Sequence, residues 1–162
     1  MYKRQVKKYE SGIVKDPITI SSTKTIDELM QLTSELNISG MPVVDNGKLR
    51  GIVTARDFRY ADDMNAKVAS IMTTYEDLVT VDEGTDQDTV KKLMYQNRIE
   101  KVLVLDKAGN LSGLMTMKDI EKSAAFPLAT KDSSGQLIVA AAIGTETQTI
   151  ERAEALEAAG VD

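Results

Sequence analysis

The sequence predicts an α/β (α+β) protein made of two successive copies of one small unit, each ordered strand, helix, strand, strand, helix. Two observations support this prediction: the chain matches itself after a shift of 61 residues, and strand and amphipathic-helix patterns alternate in each copy. The copies end alike, in Gly51-Ile52-Val53-Thr54-Ala55-Arg56-Asp57 and Gly113-Leu114-Met115-Thr116-Met117-Lys118-Asp119. Because a sheet of about three strands covers its own apolar face poorly, we expect the copies to pack about a pseudo-two-fold axis.

The first copy begins with an apolar strand and a capped helix. Ile18-Thr19-Ile20 alternates as a short strand. Thr25 and Glu28 have the spacing of a capping box, so a helix is predicted to begin after Thr25. Its inner face follows at helical spacing: Ile26, Leu29, Met30 and Thr33. We interpret such methionines as core fillers rather than ligands.

A hairpin follows, and it ends at the threonine that the copies share. Asn46-Gly47 lies between two apolar runs, which is a strong hairpin signal. A short helix is then predicted from Thr54 toward Tyr60.

The second copy repeats this order with small changes. Leu78-Val79-Thr80-Val81 is its first strand, and Thr85 or Asp86 caps its helix. The turn at 106–110 is one residue longer than its counterpart, and the last helix runs toward Lys122. The helix presents three inner residues: Val90, Leu93 and Met94.

Both flanks fall outside the repeat. Residues 1–9 carry four cationic side chains, and we interpret them as a solvated connector rather than a basic arm. After a polar turn at 131–135, residues 137–143 predict a strand. Thr149 and Gly160 bound a helix, and Val161-Asp162 begins another strand. Such a segment belongs in a parallel sheet, so we expect a piece of a larger protein whose residues 137–162, alone, are poorly ordered or borrow a neighbour.

Composition excludes several function classes. The 162 residues contain no Cys and no His, which removes disulfides, the usual zinc sites and the Ser-His or Cys-His catalytic arrangements. The net charge of −5 argues against broad nucleic-acid binding. No apolar run approaches the roughly 18 residues that span a bilayer, and no apolar signal segment is present at the N-terminus, so a cytoplasmic protein is expected.

The repeated Thr-x-x-Asp ending has two interpretations. A strand that runs into a helix N-terminus offers backbone N–H groups to a phosphate, and an acid one turn later can accept bonds from two ribose hydroxyls. The same spacing also suits a helix cap with no ligand present. The duplication favours the nucleotide interpretation over the cap.

The repeated unit, with its Gly-h-h-Thr-x-x-Asp ending (h for apolar), resembles the CBS domain, which occurs in tandem pairs. Five segments are further similar to the bacterial inosine-5′-monophosphate dehydrogenase family: residues 9–14, 38–45, 97–106, 140–145 and 151–162. In that family the pair is inserted in a (β/α)8 barrel. The resemblance implies barrel edge and connector at 1–13, CBS domains at 14–66 and 67–122, and an incomplete barrel segment at 123–162.

The resemblance implies an enzyme as parent and a regulatory module in this chain. The family's nucleophilic Cys and mobile flap are absent here, so catalytic residues are expected to be none in this chain, and NAD and K+ belong to the parent. The module is expected to bind a purine nucleotide such as ATP, together with Mg. Nucleotide binding in the family alters how tetramers associate into octamers, so a homo-oligomer is expected.

The resemblance also assigns residues to the nucleotide. Thr54 and Thr116 match the family's threonines near phosphate and ribose, and Asp57 and Asp119 match its ribose-binding acids. Three cationic neighbours could bind phosphates through charge-assisted hydrogen bonds: Lys101, Arg56 and Lys118. The alternative is that each is a solvated surface charge. In both copies, the start of a strand would bring backbone groups close to the base; otherwise these residues only begin strands. They are Ser39, Gly40, Met41 and Pro42 in the first copy and Glu100 in the second.

Two other function classes remain. A CBS pair that only mediates oligomerisation would use Thr-x-x-Asp as caps and ignore nucleotides. A catalytic function would require a site of Asp, Glu, Lys and Ser alone. The choice between adenine and guanine leaves no clear side-chain trace in the sequence.

Overall fold

The computed structural model describes residues 12–132, 137–145 and 149–162. The basic segment at 1–9 and most of the polar turn at 131–135 therefore lie outside the described residues. The chain forms two compact units, a larger one from Val14 to Met115 and a smaller one containing Gly12, Ile13 and the described residues from Thr116 to Asp162. The larger unit holds most of both sequence copies.

The larger unit contains two β-sheets and two helices of 11 residues. Its elements, in chain order, are β1 (Val14–Lys15), α1 (Ile26–Leu36), β2 (Gly40–Asp45), β3 (Lys48–Thr54), α2 (Ala55–Phe58), β4 (Thr73–Thr74), β5 (Thr80–Asp82), α3 (Gln87–Asn97), β6 (Lys101–Leu105) and β7 (Leu111–Thr116). One sheet has the order β2-β3-β4 and the other β1-β7-β6-β5. The predicted α/β class and the predicted duplication are confirmed.

Helices α1 and α3 begin and end in equivalent ways. Thr25 and Glu28 form the predicted capping box, in which the Glu28 carboxylate accepts the Thr25 N–H at 2.8 Å and the Thr25 hydroxyl accepts the Glu28 N–H at 3.2 Å. Asp86, not Thr85, caps α3, because its carboxylate accepts the Thr89 N–H at 2.9 Å. A left-handed residue ends each helix: Asn37 and Arg98.

The capping box gives Glu28 a measurable acid titration. A hydrogen bond from Lys24 and then the Thr25 N–H lower the pKa of Glu28 from 4.5 to about 2. A lowered folded-state pKa stabilises the fold above about pH 4.5 and loses that contribution as pH falls toward 2. We expect Lys24→Met to raise the pKa, as measured by carboxyl NMR titration, and Thr25→Ala, which removes only the hydroxyl and keeps the backbone N–H, to raise it less. Lys48→Met, in the hairpin turn, is the control, and an unmoved pKa in both cap variants would contradict the prediction.

The predicted hairpins are present in both copies. In the first, β2 pairs antiparallel with β3, and the turn residues Asn46 and Gly47 both have positive φ, 50° and 76°. Two positive φ values match a type I′ turn, which suits the twist of a hairpin. In the second, the Asp106 carboxylate accepts the backbone N–H groups of Ala108 and Asn110, each at 2.8 Å.

The first strand of each copy differs from the prediction. Ile18–Ile20 is not a strand, and only Ile20 forms a parallel bridge, to Val43. In the second copy the strand is Thr80–Asp82 rather than 78–81, and it pairs parallel with β6. In the first copy only Ile20 lies in position to pair with β2, and a single bridge is too short to form a strand.

Two short strands are instead exchanged between the copies. Strand β1 of the first copy pairs with β7 of the second, and β4 of the second copy pairs with β3 of the first. Each exchanged strand is only two residues long. Each copy therefore completes the sheet of the other.

The glycine of the repeated ending has a structural role in this exchange. A Cβ added to Gly51 would lie 2.1 Å from the carbonyl oxygen of Thr73 in β4. No side chain fits at that distance, so the close approach of β3 and β4 requires glycine.

The larger unit has two apolar clusters. One belongs to the first copy alone and consists of Ile20, Ile26, Leu29, Met41, Val43, Val53, Phe58 and Val68. The other joins β3 of the first copy to β6 and β7 of the second, and we name it the seam cluster. Its buried members are Leu49, Ile52, Leu103, Leu105 and Leu114.

The smaller unit contains two helices, α4 (Met117–Ala125) and α5 (Thr149–Ala158). The helix predicted between Thr149 and Gly160 is thus present, but the strand predicted at 137–143 is wrong. Leu137 forms one bridge to Lys131, and Val139 hydrogen-bonds with Asp162 at 3.0 Å. A strand needs a longer edge to pair with, and the described residues of this unit supply none.

Candidate functional site

The first Thr-x-x-Asp turn is closed by its own acid. Thr54 ends β3, and the Asp57 Oδ2 atom accepts the Thr54 backbone N–H at 2.6 Å and the Thr54 hydroxyl at 2.8 Å. Both residues are partly buried. The Asp57 Oδ1 atom makes no hydrogen bond within the described part of the chain. Asp57 therefore caps α2 through one oxygen and presents the other.

The second turn is closed by a similar contact. The Thr116 hydroxyl donates to Asp119 Oδ2 at 2.5 Å and accepts the Asp119 N–H at 3.2 Å. Thr116 is the N-cap of α4, which has 9 residues, whereas α2 has 4. The cap interpretation of Thr-x-x-Asp is thus realised in both copies, and a ribose would have to share the same carboxylates.

A glycine lets the start of β2 lie against the first turn. Gly40 pairs with Thr54, and the Ser39 carbonyl accepts the Ala55 N–H at 2.9 Å. A Cβ on Gly40 would lie 2.7 Å from the Val53 carbonyl oxygen and 2.9 Å from the Thr54 Cα. The structure therefore brings four predicted residues together: Ser39, Gly40, Thr54 and Asp57.

Met41 and Pro42 are placed differently. Both lie within β2, and both side chains are buried; Met41 belongs to the apolar cluster of the first copy. Their side chains serve the core, so only their backbone groups lie along the edge of the site.

A lysine from the second copy reaches the first copy. The Lys101 Nζ atom donates to the Ser39 hydroxyl at 2.9 Å, and both side chains are at the surface. Lys101 begins β6 as Gly40 begins β2, so the starts of equivalent strands meet here. Glu100 precedes Lys101 and is exposed. A cation of one copy thus stands next to the turn region of the other.

The remaining predicted cations stand apart. Arg56 and Lys118 are exposed on the first turns of α2 and α4. Neither forms an ion pair with any residue that the structure describes. They lie beside their respective acids in sequence, and their side chains extend into solvent.

One cavity of the larger unit lies away from these residues. A space of about 400 Å3 opens between residues 19–21 and α1, with polar side chains that include Ser21, Lys24 and Gln31. None of the predicted site residues lines it.

These positions can be compared with known proteins. The model of the CBS domain family matches residues 6–63 and 68–125, which cover both copies. The chain belongs to the CBS domain family. Its two matched segments form a tandem CBS pair, as the repeat predicted.

Relatives of this CBS pair include longer proteins. An inosine-5′-monophosphate dehydrogenase from Streptococcus pyogenes is 46% identical over 98% of this chain, which is 33% of the relative. The chain thus spans about a third of the length of the curated relatives it matches. This identity supports the resemblance that the sequence predicted.

Solved structures share the fold. GMP reductase from Trypanosoma brucei, in complex with guanosine 5′-triphosphate, has a TM-score of 0.79 and 29% identity over 99% of this chain and 39% of that one. CBSX2, solved in complex with AMP, has a TM-score of 0.65 and 19% identity over 72% of this chain and 95% of its own. The second likeness is one of fold.

The described residues of the CBS pair were searched for membrane-spanning helices and for metal-binding groups. Within them, no helix is both long and apolar enough to cross a membrane. The same residues contain no group of three or more acids placed to hold a metal ion.

The contact that sequence reasoning missed is between Lys101 and Ser39. Each residue was predicted for the site, but in its own copy. The sequence repeat could have indicated this contact, because Ser39 aligns with Glu100, one position before Lys101. Nearly equivalent positions of two copies meet when they lie close to the axis that relates the copies.

Proposed function

We propose that this chain is the purine-nucleotide-binding regulatory module of an inosine-5′-monophosphate dehydrogenase. The parent enzyme would oxidise IMP to XMP with NAD, aided by K+, in the cytoplasm. Support comes from the CBS family match and from the 46% identity to a dehydrogenase of this kind. The observation that carries the nucleotide proposal is the approach of Lys101 to Ser39 beside the Thr54 turn.

The first site combines the groups that a nucleotide requires. Asp57 Oδ1 is available to accept from a ribose hydroxyl, and Lys101 supplies a positive charge for a phosphate. Gly40 lets the start of β2 lie against Val53 and Thr54, so a base beside this turn would meet backbone groups of β2. Ribose, phosphate and base would each then meet a suitable group.

The second site would use the corresponding residues. Thr116 and Asp119 repeat the threonine and acid, and Lys118 supplies the cation beside them. Helix α4 adds the positive end of its dipole at Thr116. In the sequence repeat, Glu100 aligns with Ser39.

Regulation would follow from a difference in affinity. A nucleotide shifts the pair toward one arrangement only as far as it binds that arrangement more tightly. The change would reach the parent barrel through the connectors at Ile13-Val14 and Ser123-Ala124, and would alter the association of tetramers into octamers. ATP with Mg is the proposed ligand, and the GTP complex of a related reductase supports purine nucleotides as a class.

Calorimetry of this chain with ATP, GTP and AMP tests the proposal. Asp57→Ala and Asp119→Ala each remove a carboxylate that would bind ribose hydroxyls. Hydrogen bonds to a charged group contribute about 1.5–3 kcal/mol, so we expect each variant to weaken its own site by about 10- to 100-fold. The stoichiometry seen with wild type should fall by one site in each variant.

The matched control is Asp88→Ala, which removes the same charge from a side chain that is 84% exposed on α3. Its affinity should equal that of the wild type. Affinities unchanged in both site variants would remove the two acids from the site. A wild-type chain that binds none of the three nucleotides would overturn the proposal.

One observation favours a second function, a CBS pair that mediates oligomerisation without a ligand. Both acids already serve as helix caps, so the turns are satisfied with no nucleotide present. Large apolar side chains are also exposed, including Tyr60 and Tyr95 at 84% each. Sedimentation would separate the two functions, since an oligomer insensitive to ATP, GTP and AMP supports the second one.

A further inference from the structure

The exchanged strands give the two Thr-x-x-Asp turns different partners. Strand β4 pairs with β3 at Gly51 and Ile52, two residues before Thr54. Strand β1 pairs with β7 at Gly113 and Leu114, two residues before Thr116. Each turn therefore stands at the end of a strand whose edge is covered by a strand of the other copy.

The covering strands come from different parts of the chain. Strand β4 follows the segment that joins the two copies, whereas β1 is the strand by which the chain enters the first copy. Helix α4, by which the chain leaves the second copy, begins directly after Thr116. Both the entry and the exit of the pair are thus attached to β7.

We propose that a nucleotide at the second turn controls the order of the entry strand Val14–Lys15, whereas one at the first turn controls only β4, Thr73–Thr74, the first strand of the second copy. This inference rests on the proposed nucleotide binding and adds which segment each bound nucleotide regulates. The second site would therefore be the one that signals to both flanks.

The physical basis is the unequal stability of the paired elements. Strands β1 and β4 each form two residue pairs, and their side chains are exposed or partly buried. Such short edges open locally at low cost. The three residues before each turn, 51–53 in β3 and 113–115 in β7, are in contrast buried, so each of these strands is held firmly up to its turn. A ligand that fixes the turn fixes the end of the strand and reduces opening of its edge partner.

Amide hydrogen exchange measured by mass spectrometry, with and without ATP, tests the inference in the whole chain. Wild type should show ATP-dependent protection in peptides that contain 14–15 and 73–74. Asp119→Asn should lose protection at 14–15 and keep it at 73–74, and Asp57→Asn should show the converse. Asparagine is used because it keeps an oxygen for the cap. With ATP at about 100 times its Kd, exchange should slow by up to about 100-fold.

The crossed pattern decides the result. If both variants lose protection equally in both segments, or if the pattern is reversed, the inference is overturned while nucleotide binding stands. Calorimetry on the same samples identifies the other failure, because absence of ATP binding to wild type overturns the proposed function itself. Circular dichroism confirms that each variant is folded.

Discussion

Gly51→Ala is expected to destabilise the larger unit by about 3 kcal/mol, because a new methyl group meets backbone rather than a movable side chain. The Cβ would lie 2.1 Å from the Thr73 carbonyl oxygen, far inside van der Waals contact. Strand β4 must then separate from β3, and the sheet of the first copy loses its edge. Urea unfolding followed by circular dichroism measures the change.

Gly144→Ala is the matched control, since a Cβ there meets nothing within 4 Å. It should change the free energy of unfolding by less than about 0.5 kcal/mol. Hydrogen exchange adds a local readout, because peptides containing 73–74 should exchange faster in Gly51→Ala alone. Equal stability of the two variants would show that β3 and β4 do not approach as closely as described.

Leu103→Ala is expected to cost about 3 kcal/mol, within the roughly 2–5 kcal/mol typical of buried leucines. Leu103 is 1% exposed and belongs to the seam cluster, which joins the sheets of the two copies. Its truncation leaves a cavity that neighbouring strands cannot fill. Thermal unfolding should show a melting temperature lower by roughly 10 °C.

Leu128→Ala provides the same chemical change at a side chain that is 94% exposed. It should leave the melting temperature within about 2 °C of wild type. Were the two leucine variants equally stable, the seam cluster would not hold the copies together. A large loss in both would instead show that Leu128 is buried by a contact in solution.

The duplicated fold was predictable because its signals are local. The capping box at Thr25 and the turn at Asn46-Gly47 each specify a structure within a few residues, and both are present. The exchange of β1 and β4 was not predictable, because a two-residue strand carries no periodic pattern. Its partner strand is distant in the sequence, as in the pairing of Val14 with Leu114, and depends on how the two copies pack.

The candidate site was predicted in part. The sequence identified the acids and threonines, and the structure closes each pair into a turn. It did not predict that Lys101 would meet Ser39, since a contact between copies depends on how their sheets pack. Nor does a motif distinguish a cap from a ribose site, because both use the same aspartate side chain.

The pairing of Val14 with Leu114 also constrains how the protein forms. During synthesis, strand β1 cannot pair until β7, the last strand of the larger unit, has been made. Loop-closure entropy opposes such distant contacts, so this step should come late in folding and be slow. Helices α1 and α3 and the two hairpins involve only local contacts and would form first. Until β1 pairs, the incompletely folded chain would expose an unpaired sheet edge.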